Sequence, residues 1–198
     1  MIHILQKKIE KIYRLSSCPE AQRYVLSPEQ FKKITRNTDK PQVIYWDEGE
    51  DVSLGIYLGS NLFTRVKRKN KVFNFQDFCV MSEEISHFVY LVWSKANGKT
   101  INLLDLELQA EVDKFMLASD FFGSKKDIFG KLFKHFHMRK NLGQDEQERY
   151  FTANRLGKKF AQAMMHTKMS SIAKMNWLRL FYRQNISNRI LMIEKGFQ

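Results

Sequence analysis

The sequence predicts a mostly α protein of the α+β class: a small N-terminal antiparallel β-hairpin unit packed on a bundle of about five helices. Three observations carry that prediction. The 198 residues include only 9 Gly and 3 Pro, and the prolines all fall early, at positions 19, 28 and 41. Beyond them little remains to break a helix. Apolar side chains recur at helical spacing through most of the chain, whereas strand-like alternation is confined to residues 42–58. Hydrophobic residues make up 43% of the chain and include 16 Phe, enough to build a core and unlike the composition of a disordered segment. The length fits one domain, 1–198, with a helix-plus-hairpin part (1–71) and a helical part (72–198).

Taken in order, Ile2, Leu5, Ile9, Ile12 and Tyr13 trace one face of an amphipathic helix over 2–15, which Ser16-Ser17-Cys18-Pro19 breaks. Residues 23–26 read as a short strand. Ser27 followed by Pro28 is an N-cap with proline at the first helical position, opening a short helix to about Arg36. The runs 42–46 and 52–58 form a hairpin around the acidic loop Asp47-Glu48-Gly49-Glu50-Asp51. That loop lacks the alternating ligands of an EF-hand and reads as a solvated turn. Ser60-Asn61 caps a short helix leading into a basic tract. Helices are then expected at 76–95, 101–122, 125–138, 145–167, 171–185 and 188–194.

Cys18 and Cys79 stand apart, and neither belongs to a C-x-x-C pair, so they read as free buried thiols in a reducing compartment. Lys7, Lys8 and Lys11 interrupt the N-terminal apolar residues, so the start is not a secretory signal. The longest apolar run, Phe88 to Trp93, is far short of the roughly 18 residues a membrane span requires. The expected location is cytoplasmic.

The formal charge of +12 is unevenly spread. Residues 1–71 carry 14 Lys/Arg against 8 Asp/Glu, residues 72–120 carry 3 against 8, and residues 121–198 carry 16 against 5. Basic ends thus flank an acidic middle. Such a surface attracts polyanions, nucleic acid first among them, with acidic proteins and anionic lipid behind it.

The strongest cationic feature is the tract Arg65, Lys67, Arg68, Lys69 and Lys71, which could neutralise several phosphates or form a hydrated surface. Arg155 and Lys159 point outward from the 145–167 helix. Arg179 and Arg183, at i and i+4 on the next, present guanidinium groups suited to phosphate or carboxylate. These nine residues form the candidate nucleic-acid-binding set. No helix-turn-helix, zinc-finger or RNP pattern accompanies them, so the expectation is phosphate contact and not base reading.

Signals for catalysis are weaker. Glu84 and His87 form an E-x-x-H, and Glu107 and Glu111 follow on the next helix. Di-metal bundles use two such motifs with two further Glu, and this chain has one. The simpler expectation is that Glu111 meets a Lys, an Arg or His87 across the helix interface as a structural pair. His135 and His137, at i and i+2, face nearly opposite ways on a helix. No Walker A, G-x-S-x-G or G-x-G-x-x-G is present. In the 125–138 segment Ile128, Phe129, Leu132, Phe133 and Phe136 share an arc that either packs on the core or docks outside it. Ala153, Gly157 and Ala161 recur every four residues and allow a neighbouring helix close approach.

The sequence therefore points to a non-enzymatic basic protein that engages a polyanion, without cofactor or metal. The alternative is a scaffold that docks an acidic partner or itself. The third is a metal-assisted enzyme using Glu84, His87 and Glu111.

Overall fold

Two long helices organise the molecule, and both are buried on nearly every side. The computed structural model describes all residues except 17, 36–38, 49–50, 69–71, 135–142 and 197–198, and leaves the side chains of 47, 48, 51 and 52 undescribed. Helix α4 (Phe75–Ala96) and helix α5 (Leu103–Phe122) pack side by side, joined by a turn at 97–102. Asn74 starts α4 through a capping box: its Oδ1 accepts from the Asp77 amide at 2.8 Å, and Asp77 Oδ2 accepts from the Asn74 amide. Phe78, Met81, Ile85, Phe88 and Val89 form an apolar stripe, at most 1% exposed. The opposite face, with Glu84, His87 and Leu91, is buried as well. A helix enclosed all round is the centre of a bundle.

The remaining helices wrap this pair. Helix α1 (Ile2–Tyr13) packs on α4 through Leu5, Ile9 and Tyr13, none of which is exposed. Each such side chain contributes about 1.5–3 kcal/mol of burial. Helix α7 (Gln144–His166) lies along α5, and α8 (Ser171–Arg183) along α1. Helix α9 (Ile186–Lys195) packs against α7. The close approach expected of the small residues occurs at Gly157, where a Cβ would stand 2.7 Å from Glu111 Cβ. Leu178, Phe181 and Tyr182 of α8 are fully buried. One hydrophobic cluster extends from Ile2 to Ile193.

The N-terminal part adds the hairpin, in which β1 (Gln42–Glu48) pairs antiparallel with β2 (Asp51–Tyr57). Pairing continues to Glu48 and Asp51, so the connection is shorter than the five-residue loop expected. Helix α2 (Pro28–Ile34) starts at the predicted Ser27 cap, with Pro28 leading and Gln30 completing a capping box. Its Phe31 ring stacks on Tyr57 at 3.7 Å. The short strand expected at 23–26 is largely a 3₁₀ turn, Ala21–Tyr24. Only its end is strand-like: Val25 bridges Ile56 in parallel, and the Leu26 amide donates to the Ile56 carbonyl at 2.8 Å. Gly55 makes that contact possible, since a Cβ there would fall 2.6 Å from Leu26 Cδ1. Short helix α3 (Ser60–Lys67) connects the hairpin to α4.

Of the helix expected over 125–138, residues 125–134 are described. Helix α6 (Lys125–Phe129) passes into a π-helical turn, Gly130–Lys134, and residues 135–138 lie outside the described structure. Ile128 and Phe133 are buried, with Phe129 and Leu132 packed beside them, so the described part of the arc lies on the core. His135, Phe136 and His137 lie outside the described residues. Both cysteines are free and buried, and burial pushes Cys18 up to about 11 and Cys79 to about 12, out of the range of reactive thiolates. No helix among the described residues is long and apolar enough to cross a membrane.

Candidate functional site

Charge in this protein is sorted into two places, one interior and one at the surface. The interior set lies where α4, α5 and α7 meet. His87 stands between two carboxylates, its Nδ1 3.8 Å from Glu84 Oε2 and its Nε2 3.5 Å from Glu107 Oε2. Arg149 of α7 approaches the other Glu107 oxygen, Nε to Oε1, at 3.7 Å. One turn along, Lys114 Nζ donates to Glu111 Oε1 at 2.7 Å and to Glu83 Oε2 at 3.0 Å. Four carboxylates thus share a belt with three cationic side chains.

Burial works to lower the His87 pKa, but the flanking carboxylates of Glu107 and Glu84 outweigh it and push the imidazole up to about 10. Lys114 is likewise held above its ordinary range by Glu111 and Glu83 despite burial. Glu111 does meet a lysine, but not across the helix interface as expected: Lys114 sits three residues along its own helix. Among the described residues, no three His, Cys, Asp or Glu side chains are placed to hold a metal ion. The combination of Glu84, His87 and Glu111 is not assembled: the second carboxylate facing His87 is Glu107.

A second interior network ties α1, α4, α5 and α9. Asp113 is fully buried and accepts from Tyr13 Oη at 2.5 Å, Ser86 Oγ at 2.6 Å and Gln109 Nε2 at 2.9 Å. Burial pushes its carboxyl up to about 6 against the pull of these donors. Arg189 of α9, also fully buried, donates to Asp105 Oδ1 at 3.0 Å and to Gln109 Oε1, with its guanidinium 4.4 Å from the Phe181 ring centre.

The exposed cations divide differently from the sequence expectation. Arg65 is engaged by Asp77, the capping carboxylate of α4. Lys67 is exposed over the Phe63 ring at 5.5 Å, and Arg68 is exposed. Lys69 and Lys71 lie outside the described residues. Lys159 pairs with Glu194 of α9 at 2.5 Å, while Arg155 is exposed and adds to the charge that lowers the Glu194 pKa. Arg179 and Arg183 are brought to the end of α1. Arg179 Nε donates to the Ile12 carbonyl at 3.1 Å and Arg183 Nη2 to the Tyr13 carbonyl at 3.0 Å. These are last-turn carbonyls, which a helix leaves without intrahelical partners.

The same end of α1 carries Arg14, in left-handed conformation at φ 50°. Desolvation lowers the Arg179 pKa first, and the positive charges of Arg14 and Arg183 lower it further. Three guanidinium groups therefore crowd one corner. Among the described residues, no carboxylate forms an ion pair with any of them. Sequence reading missed Arg14 because it lies 165 positions from Arg179, and only the packing of α8 on α1 joins them. No family model, curated protein or solved structure matches this chain.

Proposed function

We propose that this is a non-enzymatic binding protein that engages a polyanion, nucleic acid, through phosphate contacts centred on Arg14, Arg179 and Arg183. The observation that carries the reading is the convergence of the two basic ends of the chain at one corner, with no carboxylate among the described residues to neutralise them. Like charges held together at a surface repel, and an arriving phosphate relieves that repulsion. Guanidinium groups present planar forks that match phosphate oxygens. The helix packing already orients two of the three, so less side-chain freedom is lost on binding. Binding then proceeds by charge complementarity and counterion release.

The test is fluorescence anisotropy of a labelled oligonucleotide across salt concentrations. Binding should occur at low ionic strength and weaken steeply with salt. Replacing all three arginines with glutamine should flatten the logarithmic salt dependence by about 2–3, close to one for each phosphate left unneutralised. No binding at low ionic strength, or an unchanged slope in the triple variant, would overturn the reading.

A further inference from the structure

Where α4 begins and α5 stops, four phenylalanines cluster. Phe75 and Phe78 of α4 meet Phe122 of α5 edge to face, with ring centres 5.5 and 4.9 Å apart, and Phe78 meets Phe121 at 5.3 Å. Phe78 is buried, whereas Phe122 at the rim stays 48% exposed. Val72, three residues before Phe75, is 83% exposed. Exposed apolar side chains grouped at one edge and rimmed by polar residues mark an interaction surface.

Cations surround this edge. The Lys131 ammonium stands 5.3 Å from the centre of the Phe75 ring, and Lys125 and Lys126 follow Phe122 across the turn at Gly123. All three lysines are exposed, and among the described residues no carboxylate, Asp127 included, forms an ion pair with any of them. On the other side, Arg65 engages Asp77, two residues after Phe75, and holds the end of α3 against the start of α4. The exposed Lys67 and Arg68 thus add charge at the same end. Two basic segments far apart in the sequence are brought to one aromatic edge.

We infer that this edge docks on an anionic lipid bilayer, with Phe122 entering the boundary between headgroups and acyl chains and Lys125, Lys126 and Lys131 lying among the headgroups. The inference goes beyond the polyanion reading and uses none of the corner's arginines. Charge and apolar surface both match this occupant. Lysines near a negatively charged leaflet each add attraction, and a buried apolar side chain supplies the second anchor that stable peripheral binding requires. Lysine stems also lie along apolar surface while the ammonium stays in water, as at Lys131 beside Phe75. Nucleic acid fits this edge less well. Val72 has no ring to stack on a base, and the three lysines lack the guanidinium forks that the corner presents.

The experiment is sedimentation of the full chain with vesicles of phosphatidylserine and phosphatidylcholine, and with phosphatidylcholine alone, at physiological salt. Anionic vesicles should be bound at least about tenfold more tightly. Lys125→Gln combined with Lys126→Gln should weaken that binding about 25-fold, about fivefold for each lysine. Phe122→Ser should weaken it about tenfold and Phe122→Leu by no more than about threefold, since leucine still enters the bilayer. Circular dichroism checks that each variant is folded. If Phe122→Ser unfolds, Val72→Ser at its exposed position takes its place, with an expected loss of about threefold. These variants should bind the labelled oligonucleotide and poly-glutamate within about threefold of wild type. Replacing Arg14, Arg179 and Arg183 with glutamine should leave vesicle binding within about threefold. No preference for anionic vesicles overturns the inference, as does wild-type vesicle binding in the folded lysine variant or in the folded serine variant. So do equal losses of oligonucleotide or poly-glutamate binding in these variants, which would make the edge a nucleic-acid or protein surface. Loss of vesicle binding in the arginine variant overturns it too, by moving the lipid to the corner. If vesicles bind as expected and the oligonucleotide does not, the polyanion reading has failed and this one stands.

Discussion

The belt between α4, α5 and α7 and the corner at the end of α1 use the same chemistry for opposite ends. In the belt, carboxylates outnumber cations, and the mostly buried charges are faced by opposite charge on their own or a neighbouring helix. At the corner three cations meet, with no carboxylate among the described residues between them. Of the eight acids in residues 72–120, only Asp120 is exposed, with its side chain 60% accessible and paired with Lys8. The acidic middle is therefore consumed inside the fold, and the surface is more basic than the formal +12 conveys. Buried charge here is matched between packed helices, whereas the corner's charge stays at the surface.

The largest effect should come from breaking the interior side of this contrast. Arg189→Met would strand Asp105 and Gln109 in the core and should cost about 3–5 kcal/mol in urea unfolding. An unchanged midpoint would show that the buried guanidinium does not hold α9 in place.

Next in size is the pH dependence of the belt. His87 is raised in the fold to about 10 from 6.5, so its stabilisation is complete below pH 6.5 and is lost as pH rises through 10. Stability should fall across this window, and the fall should vanish in His87→Gln. Asp113, raised to about 6 from 3.8, acts the same way in a lower window, its stabilisation falling away between pH 3.8 and 6. Urea midpoints from about pH 4 to 10 in the two backgrounds separate the contributions.

Gly157→Ala tests how tightly the belt is closed. With its new methyl 2.7 Å from Glu111 Cβ, it should cost about 1–3 kcal/mol through overpacking, despite alanine's better helix propensity. A stabilised variant would mean that α7 can shift away from α5 freely.

The smallest structural effect should be at the corner. Arg14→Asn keeps a residue that accepts left-handed backbone and should change stability by less than about 0.5 kcal/mol. It should nevertheless reduce the salt slope of oligonucleotide binding by about one. Loss of stability without a change in slope would reverse the assignment and make Arg14 part of the fold.

Much of the architecture was legible in the residues. Helical spacing over 76–95 marked α4, Ser27-Pro28 marked the start of α2, and Ala153, Gly157 and Ala161 marked a close helix contact. Each is a local pattern, set by helical period, capping chemistry or side-chain size. The candidate site was only half legible. Arg179 and Arg183 could be named as a pair, but their hydrogen bonds to the end of α1 could not, nor could the presence of Arg14 beside them. Arg65 is indistinguishable from its neighbours in the basic tract until the fold sets Asp77 against it.

By itself, the sequence determined the helical bundle with its hairpin, the free buried thiols and the separation of basic ends from an acidic middle, because those follow from spacing and composition. Tertiary structure alone decided which charges neutralise one another. His87 meets Glu107 and not Glu111, Arg189 is buried whole, and Arg14 joins Arg179 and Arg183. The physical reason is range. Propensity and capping act over a few residues, whereas electrostatic pairing depends on distance in space, which the packing of helices sets between residues far apart in the chain.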